Sequence, residues 1–403
     1  MSSAIVVGAT GILGREIVKQ LSQSPEKWNT VYALSRSKKD EFPSNVVHKH
    51  IDLLSSADQM ATDLQGVEAE YIFFVAYLQK DTEEENWQVN GDMLSNFLSA
   101  LTHTKTKRIL LVTGAKQYGV HLGAPKNPLL ESDPWLTTPP FPPNFYYRQQ
   151  SLLHDFCNNH KNIHWTVTYP NDVIGFATGN FMNLATGLGL YAAVSKELDP
   201  RKEGLIFPGS ETFYTRLDTF TSSSLHAQFC EWAVLEPRAA DQAFNVVNGD
   251  VQSWVDLWPR LARRFGATVK KDQFLTKTGC EGRTELGDTT PLSAVAEEAG
   301  LVGAGVVSKG GVLEQRVSLV KWSQRGDVRE AWERLAAREG LQREAFAGAT
   351  WAFVDFVLGR GYDVVQSMSK AREIGWTGYQ DTWKSFSDVF GELEAAKVLP
   401  KMH

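Results

Sequence analysis

Short apolar runs alternate with amphipathic stretches along the first 120 residues of the chain. Ala4-Ile5-Val6-Val7 is apolar throughout, as a strand covered on both faces is, and it runs straight into Gly8-Ala9-Thr10-Gly11-Ile12-Leu13-Gly14. Ile17, Val18 and Leu21 then share one face at helical spacing, with Arg15, Glu16, Lys19 and Gln20 elsewhere. Thr30–Arg36 predicts the next strand, so strand, glycine turn, helix and strand make one βαβ unit. Val46–His48 with Ile51-Asp52, Tyr71–Ala76 and Arg108–Thr113 predict three further strands, and Asn90–Thr102 a helix. The pattern predicts an α/β protein built on a doubly wound parallel sheet.

Residues 125–143 are dense in proline and predict a surface loop, a candidate rim or lid. Beyond it the pattern predicts a helix over Tyr146–Asn158, a strand over His164–Pro170, a strand at 244–248 and a helix over Trp254–Phe265. The stretch from 268 to 345 is less legible, with glycines clustered at 300–311 and surface helices expected around them. The expected division is an extended Rossmann core over 1–180, including the 125–143 loop, and a smaller, mostly helical substrate lobe over 181–403. The late strand at 244–248 would return from that lobe to the sheet.

Composition narrows the function. The chain has 403 residues, 42% hydrophobic and 22% charged, which is an ordinary globular balance. Its 41 basic and 47 acidic side chains give a net charge of −6, so it has no field for a phosphate backbone, and nucleic acid is not an expected partner. Cys157, Cys230 and Cys280 are too few and too far apart for a disulfide framework or a metal knuckle, which implies a reducing compartment and no metal. The sequence has no apolar run long enough to span a bilayer and no leader pattern at its start, so a cytoplasmic protein is expected. Whether it is a monomer or a homodimer stays open.

The glycine segment carries the first chemistry. Gly8, Gly11 and Gly14 let the backbone turn tightly and approach a pyrophosphate, whose charge meets backbone N–H groups and the positive end of the helix. At the end of the second strand, Ser35-Arg36-Ser37 offers an arginine where NAD-binding chains carry an acid. This favours NADP(H) over NAD, the alternative being a solvated basic loop with Lys38 and Lys39. Asp52-Leu53 follows the third strand and would sit beside adenine, or serve as an ordinary strand end.

Short-chain reductases commonly place a lysine one helical turn after the catalytic tyrosine, where it lowers the phenol pKa. Here Tyr146 and Tyr147 are followed four residues on by Gln150 and Ser151. The candidate cation is instead Lys116, in Thr113-Gly114-Ala115-Lys116 after the fifth apolar strand, where ligands of doubly wound sheets bind. A solvated loop lysine is the alternative.

Several blocks together resemble a known family: Gly8–Gly14, Val31–Arg36, Thr82-Glu83-Glu84-Glu85-Asn86, Thr113–Tyr118, Asn144-Phe145-Tyr146-Tyr147, Asn245–Asp250, Met368–Arg372 and Lys397–Pro400. The chain is similar to the progesterone 5β-reductase and iridoid synthase-like enzymes, atypical extended short-chain dehydrogenase/reductases, over residues 4 to 268 and 345 to 400. The resemblance implies that Lys116 and Tyr146 are catalytic. It implies cofactor contacts from Thr10, Gly11, Ile12, Arg36, Ser37, Asp52, Leu53, Ala76, Val112, Val173, Asn180, Phe181 and Met182, and a substrate-pocket wall at Phe353. The chain departs from the family at Tyr169-Pro170-Asn171-Asp172, where Arg-Pro-Gly-Asn is usual, at Ser37, which replaces a second arginine, and in extra residues within 270–330.

The expected activity is NADPH-dependent 1,4-reduction of an enone or enal on a hydrophobic terpenoid- or steroid-like molecule, in secondary metabolism. The phenol would donate to the carbonyl oxygen as charge builds there, with Lys116 supplying positive potential. Two other readings use the same fold: a cyclase or isomerase without net redox, and a non-catalytic NADP sensor.

Overall fold

A computed structural model describes residues 1–37, 42–177, 182–308 and 310–401. The predicted apolar runs become strands β1 (Ser2–Val7), β2 (Trp28–Ser35), β3 (Val46–His50), β4 (Tyr71–Phe74), β5 (Arg108–Val112) and β6 (His164–Pro170). A two-residue pair, β7 (Val173–Ile174) with β8 (Thr221–Ser222), stands apart, and β9 (Gln242–Val246) completes a seven-stranded sheet ordered β3-β2-β1-β4-β5-β6-β9. Every neighbouring pair in it is parallel. This is the doubly wound Rossmann order, with the reversal point between β1 and β4.

Why β1 is apolar at every position follows from the strand period of two. Ala4 and Val6 enter one core with Ile17, Val18, Leu21 and Phe229, while Ile5 and Val7 enter the other with Met60, Leu94 and Phe97. Helix α1 (Gly14–Ser22) covers the first face; α2 (Ala57–Asp63), α3 (Glu83–Ala100) and α4 (Phe145–Asn159) cover the second. The sheet then hands the chain to α5 (Leu184–Glu197), α6 (Glu211–Thr215), α7 (Ser223–Leu235), which packs beside α1, and α8 (Trp254–Arg264).

Several elements differ from the sequence reading, most by a residue or two at their ends. Helix α3 begins seven residues before Asn90, because Thr82 and Glu85 form a reciprocal capping box that starts it there. Strand β4 ends at Phe74, and Val75 and Ala76 lie in the loop beyond it. Helices α2 and α5 had no predicted counterpart; α5 is buried on most sides, so its sequence shows no amphipathic stripe.

A third core, rich in tryptophan, joins α5 and α8 to the later helices Leu319–Gln324, Gly326–Glu339, Trp351–Leu358 and Thr382–Ala395. The stretch between 270 and 330 carries a small antiparallel pair, Gly282–Glu285 with Val312–Gln315, closed by an Arg283–Glu314 ion pair. The C-terminal segment does not stay in this lobe. Tyr362 and Val364 return to the core beneath α3 and α4, Met368, Ala371 and Trp376 to the core beneath α1 and α7, and Phe386 to Leu399 rejoin the tryptophan-rich core. No helix among the described residues is long and apolar enough to cross a membrane.

Candidate active site

The turn after β1 forms a cradle that only small residues fit. Gly8 sits at φ +83°, and a side-chain carbon there would press on the backbone of Ala76 at 3.1–3.2 Å. At Gly14 it would collide with the Gly8 carbonyl. Gly8 and Ala9 donate to the Leu34 carbonyl, and Gly11 to that of Gly8. No side chain caps the first turn of α1, whose Arg15 N–H donates to the Gly11 carbonyl at 3.0 Å, so the positive end of the helix faces the glycine turn.

This turn opens into a cavity of about 390 Å³ lined by Gly8, Thr10, Gly11, Arg36, Asp52, Leu53 and Ala76, among others. A second cavity, about 360 Å³, is lined by Ile12, Val112, Lys116, Tyr146, Val173, Met182 and Phe353. Gly11, Val75, Tyr77 and Gln79 border both, so the two form one cleft over the carboxyl ends of the strands. A cradle closed to a Cβ, an uncapped helix start and an arginine at the far end suit a dinucleotide.

Other expected contacts lie elsewhere. Gly14 shapes the turn without lining either cavity. Ser37 is exposed, lines neither cavity, and its carbonyl accepts from the Ser35 hydroxyl at 2.9 Å. Asn180 and Phe181 lie outside the described residues, as do Lys38 and Lys39. The proline-rich loop contributes no wall to either cavity. Its Asn127 and Leu129 are fastened instead to Asp363 and Gln366 in the C-terminal segment, and its Glu131 to the backbone of Asn245.

Asn144 explains how Lys116 and Tyr146 come together from distant stretches. Its side-chain oxygen caps α4 by accepting the Tyr146 N–H at 3.0 Å, and its amide donates to the Lys116 carbonyl at 2.9 Å. One side chain therefore pins both segments. Gln150, where a lysine is usual, is buried behind the helix in bonds with Gln117, the Tyr146 carbonyl and Tyr169. Tyr147 is also committed: its hydroxyl donates to the Gln117 carbonyl at 2.6 Å and accepts from Leu136 N–H at 3.0 Å. Of the two tyrosines, Tyr146 alone lines the cavity.

The electrostatics differ from the expected lysine-lowered phenol. Burial, with the Glu83 carboxylate adding to it, pushes the Tyr146 phenol up, so the group stays protonated at neutral pH. Lys116 donates to Glu83 Oε2 at 2.5 Å; burial still holds its ammonium below the ordinary lysine range, with Glu83 opposing. Burial, then the Lys116 charge, holds His121 well below its usual value, and neither of its ring nitrogens has a partner among the described residues. Tyr77 is pushed up by burial and by the Tyr146 phenol, and its shielded hydroxyl is likewise unpartnered.

The cavity's far wall is Ala352, Phe353 and Phe356, with Arg360 at its edge. Arg360 forms a bidentate pair with Asp172, at 2.6 and 3.0 Å. The departure from the family at Asp172 is thus met by a buried guanidinium. Sequence reasoning gave no role to Glu83, Tyr77, His121 or Arg360. Glu83 alone left a signal, inside the Thr82–Asn86 block; the others carry no local pattern. Among the described residues no group of three His, Cys, Asp or Glu is placed to hold a metal.

Fold and family together make this an enzyme of the extended short-chain dehydrogenase/reductase class, with a Rossmann sheet suited to a nicotinamide cofactor. The chain belongs to the family defined by the PRISE-like Rossmann-fold domain, which matches residues 4–289. It is 38% identical to an uncharacterized protein of Schizosaccharomyces pombe, over 99% of this chain and 98% of that one. It is 28% identical to an (S)-8-oxocitronellyl enol synthase of Nepeta racemosa, over 99% of this chain and 93% of the relative. To a 3-oxo-Delta(4,5)-steroid 5-beta-reductase of Arabidopsis thaliana it is 27% identical, with the same coverage of 99% and 93%.

Proposed function

We propose that the protein is an NADPH-dependent reductase of α,β-unsaturated carbonyl compounds. The observation that carries this reading is the Asn144 bridge, which sets Tyr146 and Lys116 beside one apolar-walled cavity continuous with a dinucleotide cleft. The 3-oxo-Δ4,5 unit named for the Arabidopsis relative is a conjugated enone, and the Nepeta relative is named for an enol product.

Gly8, Thr10 and Gly11 would hold the pyrophosphate, Arg36 the 2′-phosphate, and Asp52 with Leu53 the adenine. Ala76 would border the pyrophosphate beside Gly8, and Ile12, Val112, Val173 and Met182 the nicotinamide half. Bound there, NADPH supplies hydride to the β-carbon of the substrate. A phenol that stays protonated is a donor, so the Tyr146 O–H stabilises the carbonyl oxygen as negative charge develops on it. Lys116 holds the ribose and keeps positive potential nearby. Phe353, Phe356 and Ala352 take up an apolar terpenoid- or steroid-like skeleton and exclude water.

The test is a panel of enones and enals with NADPH and with NADH, with products identified by mass. A two-unit mass gain with stoichiometric NADPH oxidation is expected. Substrate converted at unchanged mass would assign a cyclase or isomerase instead, and NADPH binding without turnover of any member a sensor.

A further inference from the structure

Lys116 has 17% of its side chain exposed, and at that depth burial favours the neutral amine. Two contacts oppose this. Its Nζ donates to Glu83 Oε2 at 2.5 Å and lies 5.2 Å from the centre of the Phe145 ring. Glu83 occupies the first turn of α3, where the helix dipole favours a carboxylate.

That turn is built to stay in place. The Thr82–Glu85 capping box fixes its start. Two buried asparagines on the same helix then strap down the preceding loop. Asn86 accepts the Lys80 N–H at 2.8 Å, and Asn90 accepts the Leu78 N–H at 2.7 Å while donating to the Leu78 carbonyl at 2.9 Å. The loop so held, Val75–Gln79, walls both halves of the cleft. The Thr82–Asn86 block therefore presents one carboxylate to Lys116 and shapes the cleft around it.

The other ionisable groups lining this cavity are Tyr77, His121, Tyr146, Asp172 and Arg360. Asp172 and Arg360 answer each other, burial keeps both phenols protonated, and His121 is held neutral. Among the described residues, Glu83 is the carboxylate that answers Lys116.

We propose that Glu83 is a positioning residue of the active site, whose carboxylate keeps Lys116 an ammonium and holds it in place for the nicotinamide ribose. This rests on the role given to Lys116 above. The test begins on cofactor-free protein: acetylation of Lys116 by acetic anhydride at about pH 7.5, read by peptide mass spectrometry, with exposed Lys80 as internal reference. Only the neutral amine reacts, and losing an opposite charge at contact distance lowers a lysine pKa by about one unit or more. Glu83→Gln should therefore label Lys116 about tenfold faster, while Glu83→Asp, which keeps the charge, labels close to wild type. In the loaded enzyme, the alkaline limb of the kcat/KM profile moves to lower pH in Glu83→Gln, with KM for the enone retained. A folded Glu83→Gln whose labelling rate and alkaline limb both superimpose on wild type would overturn the proposal. The labelling arm needs no turnover, so it decides the role of Glu83 even if no enone is reduced.

Discussion

Arg360 and Asp172 form a two-pronged ion pair with side chains 1% and 4% exposed, joining the residue two beyond helix Trp351–Leu358 to the loop after β6. Asp218 lies 3.6 Å from the same guanidinium, and its carboxyl is pushed well up by burial and then by the Asp172 charge. Burial and the neighbouring Asp172 charge thus disfavour a second negative charge beside this guanidinium. Arg360→Met strands the Asp172 charge and should cost about 3–5 kcal/mol. Asp172→Asn should cost less than half of that, because Asp218 can ionise in its place, and asparagine tolerates the left-handed backbone at 172 (φ 34°). Urea denaturation of the two variants checks this; equal losses would show that Asp218 does not substitute.

The two adjacent tyrosines should separate chemistry from stability. Tyr146→Phe removes the proposed donor to the carbonyl oxygen and should lower kcat about 10²–10³-fold with NADPH affinity unchanged. Tyr147→Phe removes hydrogen bonds to Gln117 and Leu136, so it should lose about 1–2 kcal/mol of stability and keep its turnover. Steady-state kinetics beside thermal melts would show the split.

Cofactor choice should rest on Arg36. With Ser37 turned away from the cleft, Arg36→Ala should weaken NADPH binding about ten- to hundredfold and leave NADH nearly untouched, since only the former carries the 2′-phosphate. Fluorescence titration with both dinucleotides measures the ratio. Equal losses would move the 2′-phosphate elsewhere.

Glu231 supplies a prediction in pH. It accepts from Gln20, Lys27 and Trp28, each at 2.8 Å, joining α7 to α1 and β2. Burial pushes its carboxyl up, but the three hydrogen bonds outweigh this and leave it below the ordinary glutamate value. The folded state therefore binds its proton less readily than the unfolded chain. Its stabilisation is present above the unfolded pKa, near 4.3 by the ordinary glutamate value, and fades as pH falls through the folded one. Glu231→Ala should be less stable than wild type at pH 7, with the gap narrowing in acid. Urea melts across pH that stay parallel would refute it.

Much of the fold was legible because β1, β4 and β5 carry apolar side chains on both faces, and such runs stand out against amphipathic helices. The glycine turn was legible for the same local reason. Helix α5 was not, since a helix buried nearly all round has no stripe, and neither was Arg360, whose partner lies 188 residues away. The link between Lys116 and Tyr146 entered through family resemblance; the residue that makes it, Asn144, stood in a quoted block without a role. The expected lysine-lowered phenol gave way to one held protonated, because burial depends on neighbours that no local spacing reveals.

The C-terminal segment, which threads from the lobe through both faces of the sheet and back, ties the order of synthesis to the completion of the fold. Tyr362, Val364, Met368 and Trp376 close the two cores around a sheet whose first strand was made hundreds of residues before. A nascent chain cannot complete these two cores until Trp376 has left the ribosome. A stop codon ahead of Trp376 would leave apolar surface on display for chaperones and proteases, whatever the state of the earlier strands.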